Sequence, residues 1–230
     1  MSGPICKVLV AALAVGLTGL VGLRPAPAEA QQARLAAAKQ VASGAITRRV
    51  LALRELTTAA KSIARLGDAD RSALTNQLQD QINGLTTLNA KIQGDTDEAT
   101  VRADAQKIVT DYRVYVLTIP KARGVVASDI ELNAADRLAK LADRLSTAID
   151  QAKEGKDTTK AKADLASLRG KIASVTATVS PLPAALLGLQ PAGYPANHST
   201  LEQARQSLRT GRAILDEAAS IARRVIADLK

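Results

Sequence analysis

The side chains that carry most enzymatic chemistry are nearly absent from this sequence. Its 230 residues hold one histidine, His198, and one cysteine, Cys6. A zinc site normally draws three or four His, Cys or carboxylate ligands, and one histidine does not provide the usual set. A thiol–imidazole pair needs a cysteine in the mature chain, and Cys6 lies within a leader-like segment, residues 1–30. The chain has no phosphate-cradling G-x-x-x-x-G-K-[ST] loop, no G-x-S-x-G elbow and no H-E-x-x-H pair. Asp95, Asp97 and Glu98 cluster, but Gly94-Asp-Thr-Asp-Glu98 lacks the remaining ligands of a calcium hand. Helix capping explains that cluster better, with Asp95 as cap and Glu98 three residues on. The reading is a non-enzyme with no cofactor and no metal. A carboxylate site between helices is the weakest rival, because nothing in the sequence places two acids in one apolar cleft.

Charge is the remaining signal. Residues 31–66 contain Arg34, Lys39, Arg48, Arg49, Arg54, Lys61 and Arg65 against the single acid Glu55, whereas residues 67–198 balance to zero. Arg54, Lys61 and Arg65 recur at steps of seven and four, so they share one helical stripe. Such a stripe attracts anionic surfaces: a phosphate-rich envelope polymer, a lipid headgroup layer, or an acidic protein partner. Nucleic acid is disfavoured, since neither stacking aromatics nor a recognisable motif accompanies the charge. The blander reading is a solvated helix face. A second candidate contact is Tyr112-Arg-Val-Tyr-Val-Leu-Thr-Ile-Pro120, which holds Tyr112 and Tyr115. It is the one strand-like stretch. Its plainer reading is a connector whose tyrosines pack between helices, and Pro120 disfavours helix at Ile119.

The elements that must position these residues are helices. Hydrophobic residues make up 47% of the chain, yet there is no Phe or Trp, so alanine and leucine must build the core through close helix approach. A first helix is expected over about Gln32 to Leu66, with Gly67 as a left-handed C-cap. A second spans about Ala69 to Gln93, with Leu74, Leu78, Ile82, Leu85, Leu88 and Ile92 on one face. A third follows Asp95 and carries Val101, Ala105 and Ile108. A fourth is clearest from Ser128 to Glu154, with Ser128 and Glu131 as a capping pair and Ala134, Leu138, Leu141, Leu145, Ala148 and Ala152 as its stripe. Pro120 offers an earlier start, as the first residue of a longer helix. A fifth presents Ala161, Leu165, Leu168, Ile172, Val175 and Val179. A sixth begins at Ser199, paired with Glu202, and keeps its heptads through Gly211 to Leu229. Between the last two, residues 180–198 carry four prolines and an apolar patch, Ala184 to Leu189, whose burial is expected. The predicted fold is all-α: an elongated antiparallel helical bundle with coiled-coil-like heptad packing.

Residues 1–30 read as a signal peptide: Lys7, an uncharged run from Val8 to Leu23, and a proline-containing end with A-x-A sites at Ala28 and Ala30, the second preferred. Sixteen apolar residues followed by prolines are short of a spanning helix. A secreted or envelope protein comprising a single helical domain, residues 31–230, is the expectation.

The run Asp111-Tyr-Arg-Val-Tyr-Val-Leu-Thr-Ile-Pro-Lys121, with Leu85-Thr-Thr-Leu-Asn-Ala-Lys-Ile92 and the Pro191–Asn197 turn, resembles a family of uncharacterised secreted helical proteins from high-GC Gram-positive bacteria. The resemblance covers most of the mature chain. It implies secretion and an all-α fold, and it implies no catalytic residue. Gly124 departs from the family pattern and is expected to weaken helix there. The composite expectation is a non-enzymatic helical scaffold or binding protein of the cell envelope, with an apolipoprotein-like membrane-surface binder as its alternative.

Overall fold

Alanine and leucine at 3- and 4-residue steps give each helix one apolar face, and those faces close on one another into an all-α bundle. The computed structural model describes residues 28–63, 66–152 and 157–229. Most of the expected signal peptide, residues 1–27, therefore lies outside the described residues, as does Arg65 of the basic stripe. Five helices are long: α1 (Ala28–Ser62), α2 (Asp68–Gly94), α4 (Ile119–Asp150), α5 (Thr159–Val179) and α7 (His198–Asp228). Shorter α3 (Glu98–Thr110) and α6 (Leu182–Leu187) complete the set, with a π-type turn at Val114–Thr118 and a 3-10 turn at Pro191–Gly193. No strand occurs among the described residues. No described helix is long and apolar enough to cross a membrane.

The helices form two groups. In the first, α1 packs on α2 and on α3; in the second, α4, α5 and α7 pack mutually, with α6 laid on α4. The π-type turn and α6 touch both groups and join them. Every position assigned to the apolar stripes of α2 and α5 is buried. In α1, Ala42, Ile46, Val50, Leu53, Thr57 and Ala60 face inward.

Several local expectations need correction. First, α1 ends at Ser62, and Gly67 serves as N-cap of α2 in an extended conformation, φ −51° and ψ 140°, not as a left-handed C-cap. Second, Asp97 caps α3 by accepting the Thr100 N–H at 2.8 Å; the Thr100 hydroxyl, donating to its other oxygen at 2.7 Å, and then this N–H hold its carboxyl below the ordinary range, and Asp95 instead terminates α2. Third, the Tyr112–Pro120 stretch is no strand. Val114, Leu117 and Thr118 are buried in the turn, and α4 starts at once with Pro120 in its first turn. Ile119 is helical at φ −65° and ψ −50° despite preceding proline. Burial outweighs β-propensity here, and a proline in a first turn costs no intrahelical bond.

Fourth, Ser128 and Glu131 lie inside α4 and cap nothing. The Ser128 hydroxyl donates back to the Gly124 carbonyl at 2.8 Å, and both residues are buried. The buried face of α4 runs through Val125, Ser128, Glu131, Ala135, Ala142, Leu145 and Ile149. Of the predicted stripe, Leu145 is buried and Ala134, Leu138 and Leu141 are partly buried against the core, whereas Ala148 is exposed and Ala135, Ala142 and Ile149 take the inner places, because α4 must meet α5, α6 and α7 together. Gly124 continues the helix; a Cβ there would stand 2.7 Å from Leu186 Cδ1, so its missing side chain lets α6 lie close. The apolar patch of the connector is buried as expected through Leu186 and Leu189. The last helix starts at His198, with no side-chain cap; Glu202 instead pairs with Arg205.

Glu131 is 7% exposed, and its Oε2 has no hydrogen-bond partner among the described residues. Burial pushes its carboxyl up to about 7, with Arg212 pulling the other way. A raised carboxyl pKa means that the unfolded chain releases its proton first, near 4.5, so stability falls as pH rises from there through 7. The expected loss is about 3 kcal/mol. Glu131→Gln should remove that slope, leaving the variant more stable than the parent at pH 8 in urea unfolding; an unchanged slope would show that Glu131 ionises freely.

Candidate functional site

Outside α1, many cations of the bundle are paired with its own acids. Lys91 and Lys107 clamp buried Asp104 at 2.6 and 2.7 Å, tying α2 to α3. The Lys107 bond, then that from Lys91, holds the Asp104 carboxyl below the carboxylate range. Lys160–Asp228 at 2.5 Å, Lys171–Glu217 at 2.5 Å and Arg224–Asp164 at 3.4 Å tie α5 to α7.

Helix α1 is different. Among the described residues, none of its basic side chains forms an ion pair: not Arg34, Lys39, Arg48, Arg49, Arg54 or Lys61. Lys39 donates to the Gln93 carbonyl at 2.7 Å, at the negative end of the α2 dipole. Arg49 donates to Ala45 of its own helix at 3.0 Å. Arg48, Arg54 and Lys61 stand exposed. Arg54 edges a shallow cleft with Thr86 and Asn89 of α2.

The two tyrosines part company. Tyr112 packs over α2 at Gly84, where a Cβ would stand 2.8 Å from its ring. Burial raises its hydroxyl pKa, and nearby Asp111 adds to the rise. Tyr115 is 49% exposed and carries the Arg49 guanidinium 5.0 Å above its ring, a cation–π contact. It therefore does not pack between helices as expected; the left-handed backbone of Arg113, at φ 48°, precedes the turn that carries it outward. The Arg113 guanidinium lies 4.7 Å over the Tyr194 ring. The basic helix and the tyrosine segment, read as separate candidates, thus meet at Arg49 and Tyr115.

Two features had no clear sequence signal. At the junction of the helix groups, buried Lys121 donates to Gln77 Oε1 at 2.7 Å and to the Leu189 carbonyl at 2.9 Å. Burial lowers its pKa to about 8. It borders a small polar cavity of about 190 Å³ with Gln77, Tyr112 and Asp111. The other feature is a groove of about 680 Å³ between α1 and α3. Its floor is Ala37, Ala38, Ala42 and Ala45 of α1 against Val101, Ala105 and Ile108 of α3, with Arg34, Arg49 and Arg102 at its edges. Val41 and Val109 beside it are 72% and 53% exposed. Their hint in the sequence is that neither valine belongs to its helix's buried stripe.

Among the described residues, no group of three His, Cys, Asp or Glu side chains is placed to hold a metal ion. No protein-family model, curated protein or solved structure matches this chain.

Proposed function

We propose that the protein is a secreted, non-enzymatic helical scaffold of the cell envelope that binds an anionic polymer through the exposed cations of α1. The observation that carries this reading is that the α1 cations form no ion pair among the described residues, while α2, α3, α5 and α7 pair most of theirs. Unpaired, solvated cations keep their full field for a partner. The two buried acids support a structural role for the interior: Asp104 is held by two lysines, and Glu131 faces the backbone of Gly211 on α7.

The test is co-sedimentation of the purified protein with Gram-positive envelope fractions at low and high salt. Each exposed charge contact contributes ~1 kcal/mol or less, so Arg48/Arg54/Lys61→Ala should weaken binding by roughly 2 kcal/mol, about thirtyfold. The same substitutions should leave thermal unfolding nearly unchanged, since all three residues are exposed. Binding that ignores the triple substitution would remove α1 as the contact.

A further inference from the structure

The α1–α3 groove differs in chemistry from the exposed stripe. A hydrophilic polyanion would leave its methyl-lined floor uncovered, and the groove's volume of about 680 Å³ falls in the range of small-molecule sites, about 300–1,000 Å³. The charge at its edges is positive and only partly matched. Arg102 is paired with Glu98. Arg34 forms no ion pair among the described residues, and Arg49 Nε is buried without a hydrogen-bond partner. Arg49 is half-buried, so its cation is already stripped of part of its water, and this burial lowers its pKa. A desolvated cation beside an apolar trough calls for an anion with a long apolar tail. The trough runs from Arg34 to Arg49, roughly 22 Å along the helix axis, which suits an extended acyl chain. A second copy of the chain is a poor occupant, because Arg34 and Arg49 would meet their own like charges.

We propose that this groove binds one long-chain fatty acid, with the acyl chain on the alanine, valine and isoleucine floor and the carboxylate on Arg49. The contact is charge-assisted and can be bidentate. Tyr115 beneath the guanidinium holds Arg49 in place for it. This site uses none of Arg48, Arg54 or Lys61, so it and the polymer-binding reading can fail separately.

The test is calorimetric titration of the delipidated protein with palmitate, and with the uncharged alcohol of the same chain length. Palmitate should bind one per chain and at least tenfold more tightly than the alcohol. Arg49→Gln should reduce palmitate affinity about tenfold and leave the alcohol unaffected. Ala38→Leu, which narrows the trough without touching charge, should weaken both ligands, with circular dichroism confirming an intact fold. Absence of palmitate binding to the parent protein would overturn the proposal. So would equal affinity for acid and alcohol, or binding only to vesicles of anionic phospholipid with none to monomeric palmitate.

Discussion

Leucine in place of Gly211 is expected to cost the bundle about 3 kcal/mol, the upper range for overpacking a closed core. Gly211 sits where α7 crosses α4 and α5. A Cβ there would stand 2.5 Å from Glu131 Oε2 and 2.8 Å from Val179 Cγ2. Val179 is fully buried and β-branched, so it cannot rotate aside cheaply. Glu131 can withdraw only by carrying its carboxyl through packed core. Against this, replacing a mid-helix glycine returns up to about 1 kcal/mol of helix propensity, so alanine should cost visibly less than leucine. Urea unfolding of the two variants measures both. A leucine variant as stable as the parent would show that the α4–α5–α7 seam is not closed at this level.

Leu53→Ala is expected to lose 2–5 kcal/mol, the usual range for emptying a core leucine site. The expectation is for the upper half of that range, because the α1 seam has few large anchors. Its other buried positions include Ala42, Thr57 and Ala60, and Leu53 is 0% exposed at its centre. Its flanking buried residues on α1, Val50 and Thr57, are short and β-branched and cannot reach into the void. The consequence reaches function, since the basic face of α1 is presented only while that helix is seated. Anionic-polymer binding should therefore fall at a lower temperature in the variant, in step with the loss of helical signal. A loss under 1 kcal/mol would mean that α1 is held elsewhere.

Where a helix has one neighbour side, its sequence is easy to read. The six stripe positions of α2 and the six of α5 are the buried ones, because each helix turns a single face inward. Helix α4 has several neighbours, and its apolar residues cover more than one face. Its stripes through Ala134 and Leu141 and through Ala135 and Ala142 are similarly apolar, and both reach the core, the second more deeply. The start of α4 is obscured by Val114, Val116 and Ile119, whose β-branched shapes suit a strand in isolation; here Val114 is buried in the turn, Val116 is exposed and Ile119 begins the helix. Capping patterns misled wherever Ser, Asp and Glu fell at the right spacing inside or beside a helix: Ser128 and Glu131 are core residues, and Asp97 outcompetes Asp95.

The candidate site was half legible. The excess of charge on α1 is visible in composition, but its lack of ion pairs is a fact of packing. Whether Arg54 or Arg224 finds an acid depends on which helix lies opposite, and only Arg224 meets one. The meeting of Arg49 with Tyr115 and the trough between α1 and α3 are likewise products of tertiary structure. Ala38, Ala42 and Ala105 look like ordinary core alanines in sequence. They line a trough because α3 is short and leaves part of α1 uncovered.

The most direct test of the account is the affinity of the purified protein for a defined poly(glycerol phosphate) polymer, titrated across salt concentration. Screening shortens from about 8 Å at physiological salt to about 3 Å at 1 M. Affinity should fall steeply with salt for the parent and much less steeply for Arg48/Arg54/Lys61→Ala, and the two should converge at high salt. Affinity independent of salt, or a triple variant that binds as the parent does, would contradict the claim that α1 is the contact surface.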